Sequence, residues 1–234
     1  MFQNRQGFFS SIPPITKNLI IINLLMWLAT IVLHKTYGID LVKYLGLHYI
    51  PAERFNAVQF VTYMFMHDPY SFTHVFFNMF SVFMFGRTLE MMWGSKRFLI
   101  FYITTGIGAA LVQEFVWYFT LHNDIMQVVN AVGWERTGVI LNNIVTIGAS
   151  GAVFGILLAF GMLFPNAELF LMFIPIPIKA KYFVVGYGLI ELTLGIYGPG
   201  GDNVAHFAHL GGMLFGLILI LYWRKKNNNN RGIY

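Results

Sequence analysis

The sequence predicts an all-α membrane protein, a bundle of six transmembrane helices with both termini on the cytoplasmic side. Three observations predict it: a shortage of charge, a series of apolar stretches near bilayer length, and basic residues gathered on one side of them. The chain has 234 residues, of which 57% are hydrophobic and 11% charged. A soluble domain carries roughly 25% charged residues, so the solvent around this chain must be lipid. The net charge of +5 raises nucleic acid as a partner, but the basic residues flank apolar segments, which is the pattern of membrane topology. No nucleic-acid partner is expected. The absence of cysteine excludes disulfides, thiolate catalysis and Cys-rich metal sites.

A spanning helix needs roughly 17–25 mostly apolar residues, and six stretches qualify or come close. The first, Thr16–His34, follows Lys17 without a small-residue cleavage pattern after it and is read as a retained span, not a removed signal peptide. The second is Phe72–Trp93 and the third Phe98–Leu121. The fourth, Thr146–Phe164, is followed by Pro165; the fifth, Tyr182–Ile196, is short and broken by glycine; the sixth is Val204–Trp223. The domain reading is therefore residues 1–15 as an N-terminal cytoplasmic segment, 16–223 as one membrane domain and 224–234 as a basic cytoplasmic tail. Within it, residues 35–71 form a loop insertion rich in aromatics, whose short apolar run Phe60–Met66 is expected to lie in the membrane interface. Gly198-Pro199-Gly200-Gly201 reads as a flexible turn before the sixth helix.

With the N-terminus inside, the inner segments hold Arg5, Lys17, Arg87, Lys96, Arg97, Lys179, Lys181, Arg224, Lys225, Lys226 and Arg231. The outer loops keep Lys35, Lys43, Arg54 and Arg136. This positive-inside bias sets the orientation. With no Arg- and Ser-rich transit segment ahead of the first span, the expected location is a bacterial-type plasma membrane.

Ionisable and polar groups inside spans are costly and mark function by default. The second span carries His74 and Asn78, at i and i+4 on one helical face; the fourth begins Gly148-Ala149-Ser150-Gly151; the sixth contains His206 and His209. Ser150 lies 14 residues from Phe164, His209 lies 14 from Trp223, and Asn78 lies 14 from Met92. At 1.5 Å per residue each sits about 21 Å above the inner boundary of a core roughly 30 Å thick. All three spans run outside to inside, so hydroxyl, imidazole and amide share a layer near the outer face. The pairs Gly151/Gly155 and Gly212/Gly216 are small faces that let membrane helices approach closely. Serine needs an adjacent base to act as a nucleophile, and a neutral imidazole supplies one. His74, Asn78 and the Ser150 backbone N–H near a helix start are candidates to stabilise an oxyanion.

These residues resemble a known family. Gly148-Ala149-Ser150-Gly151 resembles the GxSG motif of rhomboid proteases, and Ala208 to Gly216 is similar to their last-helix AHxxGxxxG motif. His74 to Asn78 is similar to their HxxxN element, and Gly86-Arg87-Thr88-Leu89-Glu90 to the stretch closing the second helix. The resemblance covers roughly residues 15–223 in the family's order. It implies a six-helix rhomboid-like bundle and an intramembrane serine endopeptidase, with Ser150 as nucleophile, His209 as base and then acid, and no third carboxylate. His74 and Asn78 would be oxyanion donors, with Gly148, Gly151, Phe154, Gly155, Gly212 and Gly216 packing around the site. It implies single-span membrane proteins as substrates, cut near the outer face, and neither metal nor other cofactor. Phe154 falls where some members carry a tyrosine against the catalytic histidine; a phenyl ring keeps that contact without donating a hydrogen bond.

Blander readings stand beside these. Ser150 alone is most simply a packing serine, and His74 with Asn78 interhelical hydrogen-bonding glue. His206, one turn from His209, is the rival base; the motif favours His209 and leaves His206 to line a water-accessible cavity. Zinc lacks an HExxH motif or a carboxylate at ligand spacing. Glu114 and Glu191 are expected to be interfacial or structural. A non-cleaving rhomboid-like scaffold would lack the serine or the histidine, and a transporter would show broken helices or charge pairs at mid-membrane. Only a neutral imidazole accepts the serine proton, and imidazoles lose that form below about 6.5. Peptide cleavage should therefore decline from about pH 8 to about pH 5 in a pH–rate profile; a flat profile would count against a histidine base.

Overall fold

The computed structural model describes residues 12–171, 174–198 and 205–231. The chain is mainly helical, and its first helix shows how the ends are tied. Helix α1 (Pro14–Tyr37) starts with proline at its first turn, where a missing N–H costs nothing. The remaining free amides there are met from elsewhere in the chain. The Glu90 carboxylate accepts from the Ile15 amide at 2.9 Å, from the Thr16 amide at 2.7 Å and from the Thr16 hydroxyl at 2.8 Å. Ser95 donates to the same carboxylate at 2.6 Å. Glu90 thus fixes α1 to the end of the second helical segment, satisfying donors that lipid would leave orphaned.

Residues 38–71 fold as two short helices, α2 (Val42–Leu45) and α3 (Gln59–Thr62), and the strand β1 (Leu47–His48). The run Phe60–Met66, expected in the interface, instead buries Tyr63, Met64 and Met66 in the protein. The Tyr63 hydroxyl donates to the Gly106 carbonyl at 2.7 Å, so its polar atom is satisfied and the ring joins the core. Helix α4 (Phe72–Ser81), a π turn (Val82–Gly86) and α5 (Arg87–Trp93) follow as one winding segment, ended by Gly94 at φ 79°.

Helix α6 (Ser95–Leu141) runs well past Leu121, where the apolar stretch stops, and is interrupted at Gly133 (φ 81°, ψ 164°). The extension has its own reason to be helical. Ile125 and Leu141 pack against Tyr49 and Ala52 in a second small core, so protein, not lipid, covers that face. The strand β2 (Val145–Thr146) then pairs antiparallel with β1. Helix α7 is therefore shorter than the span expected from Thr146: it begins at Ser150 and ends at Leu163. Strands β3 (Glu168–Leu171) and β4 (Ile174–Lys179) form an antiparallel ribbon. These two small ribbons are exceptions to the all-α expectation, each using extended backbone where an apolar run is interrupted by polar residues or proline. Helix α8 (Ala180–Tyr197) and helix α9 (His206–Arg231) close the chain. Most of the Gly198–Gly201 turn lies outside the described residues.

Among the described residues, three helices are long and apolar enough to cross a membrane: Pro14–Tyr37, Ser95–Leu141 and the His206–Lys226 part of α9. Large apolar side chains stand exposed along them and along α8, among them Leu25, Leu28, Val32, Leu189, Ile190, Leu214 and Leu221. An apolar girdle of this extent has no place in water and suits lipid. The main core lies inside, around Leu89, Phe98, Phe101, Tyr102, Ile156 and Ala159.

Helix α9 packs along both α6 and α7, and glycine sets the distance. A Cβ on Gly212 would fall inside the Gly151 backbone carbonyl, and one on Gly155 would lie 3.0 Å from the Gly212 oxygen. The two small faces read from the sequence therefore meet each other. Backbone cannot swing aside as a side chain can, so Gly212→Ala should destabilise the bundle by about 1–3 kcal/mol, the usual cost of overpacking. Reversible unfolding in mixed micelles would measure it; an unchanged midpoint would mean the helices are not held at backbone contact.

Candidate active site

The seam between α7 and α9 ends at a polar group. Ser150 is the first residue of α7 and His209 lies in the first turn of α9. His209 Nε2 stands 2.8 Å from Ser150 Oγ, within hydrogen-bond reach of a nucleophile–base pair. Phe154, one turn along α7, stacks on the His209 ring at 4.3 Å between centroids and 4° between planes. That contact fixes the plane of the imidazole. Tyr187 of α8 packs against Phe154, with ring centroids 4.9 Å apart.

A cavity of about 930 Å³ opens onto this pair. Its lining includes His74, Asn78, Ser150, Phe154, Tyr187 and His209. Its position follows from the early start of α7. Because residues 142–149 are extended or turning rather than helical, α7 starts at the cavity with Ser150 in its lining, and the first amides of a helix have no intrahelical acceptor. Gly148 makes the turn possible. Its φ is +126°, and a Cβ there would lie 2.9 Å from His74 Nε2, so no other residue fits both the backbone and the neighbouring ring. Its amide donates to the Tyr63 carbonyl at 3.0 Å, which ties the serine loop to the buried part of the 38–71 segment.

His74 sits in the first turn of α4, capped by Ser71, whose hydroxyl accepts the His74 amide at 3.4 Å. Asn78 Nδ2 donates to the His74 carbonyl at 2.8 Å. Both residues border the cavity, and Asn78 gives one of its two amide N–H groups to its own helix here. Beside His74 lies His67, fully buried with neither ring nitrogen bonded among the described residues, its ring centroid 5.0 Å away. Burial first, and the neighbouring imidazole second, push His67 down to about 3, so it stays neutral at ordinary pH.

His206 is buried, and its Nδ1 lies 2.7 Å from Glu191 Oε2. Glu191 of α8 is more than a structural carboxylate at the edge of a span. The same Oε2 lies 2.8 Å from His209 Nδ1, so a carboxylate does stand behind the serine–histidine pair. The sequence did not disclose it because its partners lie 15 and 18 residues away on another helix. Glu191, His206 and His209 also form a donor set of metal-ligating type, with ligand atoms within 4.8 Å of one another. In the geometry at hand those nitrogens and that oxygen are engaged with one another. Glu114 accepts the Ile50 amide at 3.1 Å.

A family model of the Rhomboid domain matches residues 54–226. The rhomboid protease AarA of Providencia stuartii is 32% identical over 163 residues, 64% of this chain and 51% of that protein. The mitochondrial rhomboid protein 1 of Saccharomyces cerevisiae is 28% identical over 160 residues, 68% of this chain and 40% of that protein. The chloroplastic rhomboid-like protein 11 of Arabidopsis thaliana is 29% identical over 168 residues, 69% of this chain and 51% of that protein. The matched region thus spans about half or less of these relatives.

The serine loop yields a paired prediction. Gly148→Ala forces a side chain into a left-handed backbone and against His74, a strain of about 1–3 kcal/mol. Gly186→Ala on α8, where a Cβ meets nothing within 4 Å, should cost nothing. Melting temperatures of the two variants in the same detergent check this; equal melting temperatures would contradict it.

Proposed function

Because the chain belongs to the rhomboid family, we propose that it is an intramembrane serine endopeptidase acting through Ser150 and His209. One observation carries the reading: a serine hydroxyl at 2.8 Å from an imidazole nitrogen, inside a cavity at a helix N-terminus. Family membership supports the reaction class.

The chemistry follows from the geometry. Ser150 Oγ passes its proton to His209 Nε2 as it attacks the scissile carbonyl, forming the Oγ–C bond while the carbonyl electrons move onto oxygen. The tetrahedral oxyanion sits above the first turn of α7, where free amides face it. His74 and Asn78 border the same space and serve as further donors, Asn78 through the second of its two amide N–H groups. The protonated His209 then gives its proton to the leaving amine as the C–N bond breaks, and water resolves the acyl-enzyme by the same two steps. No metal or nucleotide enters this sequence of steps.

The membrane arrangement belongs to the same proposal. Six spans, made of α1, the α4–α5 segment, α6, α7, α8 and α9, compose a membrane domain over residues 16–223, with residues 224–234 as a basic tail. Both termini face the cytoplasm, as the basic residues indicate. Helix α7 has 14 residues, about 21 Å of a hydrocarbon core roughly 30 Å thick. Its first residue therefore lies below the outer surface, and the cavity gives water a route to it. Substrates are single-span membrane proteins whose helix unwinds near the outer face of a plasma membrane to present a peptide bond. As a gate, α8 moves relative to α4 to admit them.

Cleavage of a single-span reporter in proteoliposomes tests the assignment. Ser150→Ala and His209→Ala should each lower the rate by at least about 10³-fold, while His206→Ala keeps measurable cleavage. A Ser150→Ala protein that still cuts would end the protease reading, and a dead His206→Ala beside an active His209→Ala would move the base one turn.

A further inference from the structure

We propose that Glu191 is a positioning residue for His209, so that the pair at this site works as a carboxylate–imidazole–hydroxyl triad, with His206 holding the carboxylate from its other side. The inference rests on the protease reading above and adds to it the group that sets the base's tautomer.

Hydrogen-bond valence decides where the protons lie. A single carboxylate oxygen, Glu191 Oε2, stands 2.8 Å from His209 Nδ1 and 2.7 Å from His206 Nδ1. An ionised carboxylate only accepts, and one oxygen has lone pairs for two donors. Both imidazoles therefore present Nδ1–H to it. A neutral His209 with its proton on Nδ1 has its lone pair on Nε2, the nitrogen that lies 2.8 Å from Ser150 Oγ. The hydroxyl is then the donor and the imidazole the acceptor, the direction proton abstraction needs. With the proton on Nε2 instead, His209 would donate to the serine and could not take its proton.

The surroundings make this contact decisive. Glu191, His206 and His209 are all buried, at 4%, 8% and 8% exposure, so no bulk water substitutes for a missing partner. A buried carboxylate is costly unless paired and fully hydrogen-bonded, and the second imidazole supplies what one alone does not. His206 and His209 are three residues apart on α9, on neighbouring positions of one face, while Glu191 comes from α8. Phe154 fixes the plane of the His209 ring at 4°, and Glu191 fixes which nitrogen carries the proton. When His209 becomes imidazolium during attack, the same oxygen faces the new charge.

The test compares steady-state cleavage of a single-span reporter by wild type, Glu191→Gln, Glu191→Asp and Ser150→Ala in proteoliposomes. Glutamine keeps the size but brings no charge to face the imidazolium, and with its –NH2 toward His209 it favours the wrong tautomer. It should lower kcat by about 10²- to 10⁴-fold with KM within about 2-fold, and Glu191→Asp should recover part of that loss. Glu191→Gln with kcat unchanged beside an inactive Ser150→Ala overturns the positioning role and leaves the protease reading intact. A Ser150→Ala protein that cuts overturns both. Loss of wild-type cleavage in a chelator, restored by zinc alone, overturns the triad in favour of a metal on the same three side chains. Should the glutamine variant not fold, ¹⁵N chemical shifts of histidine in the wild-type protein decide. A neutral His209 protonated at Nδ1 supports the assignment, and one protonated at Nε2 contradicts it.

Discussion

The backbone contact between α7 and α9 is the constraint on which the site depends. Gly151 and Gly155 on one helix meet Gly212 and Gly216 on the other with no room for a Cβ at the closest points. Ser150 lies next to Gly151, and His209 one turn before Gly212, so the same contact sets the distance between hydroxyl and imidazole. In lipid there is no hydrophobic force to pull these helices together; close packing and polar contacts do that work. The glycines are therefore part of the chemistry as much as of the fold.

A second constraint is the short α7. Its start at Ser150 leaves the segment before it non-helical, and that is where the cavity opens. Within a membrane, backbone that is neither helix nor closed sheet is tolerated only where protein or water covers it. Here the covering comes from the 38–71 segment: β1 pairs with β2, and the Tyr63 carbonyl accepts the Gly148 amide. The segment read from composition as interfacial is in this respect a wall of the site.

Much of this was legible in the sequence, and the limits have physical causes. The apolar stretches announced the helices, and Pro165 marked an end close to the one seen. The common depth of Ser150 and His209 followed from counting residues along helices of known rise, and the facing glycines from their four-residue spacing. Helix α6 outran its apolar stretch because its extension is covered by Tyr49 and Ala52, and hydropathy reports lipid contact, not helicity. Residues 60–66 joined the core because tertiary packing, invisible to a local window, outweighed their aromatic, interface-like composition. Glu191 was missed for a related reason. A single acidic residue in a glycine-broken helix carries no local signal, and only the packing of α8 against α9 brings it to the two histidines.

The measurement closest to the central claim is the site of covalent modification by a fluorophosphonate, which reacts with an activated serine. Peptide mapping by mass spectrometry should find the adduct on Ser150 in the native protein and none when His209 is replaced by alanine, with the fold retained in both. Labelling elsewhere in the chain, or labelling of Ser150 at the same rate without His209, would contradict a serine activated by that imidazole.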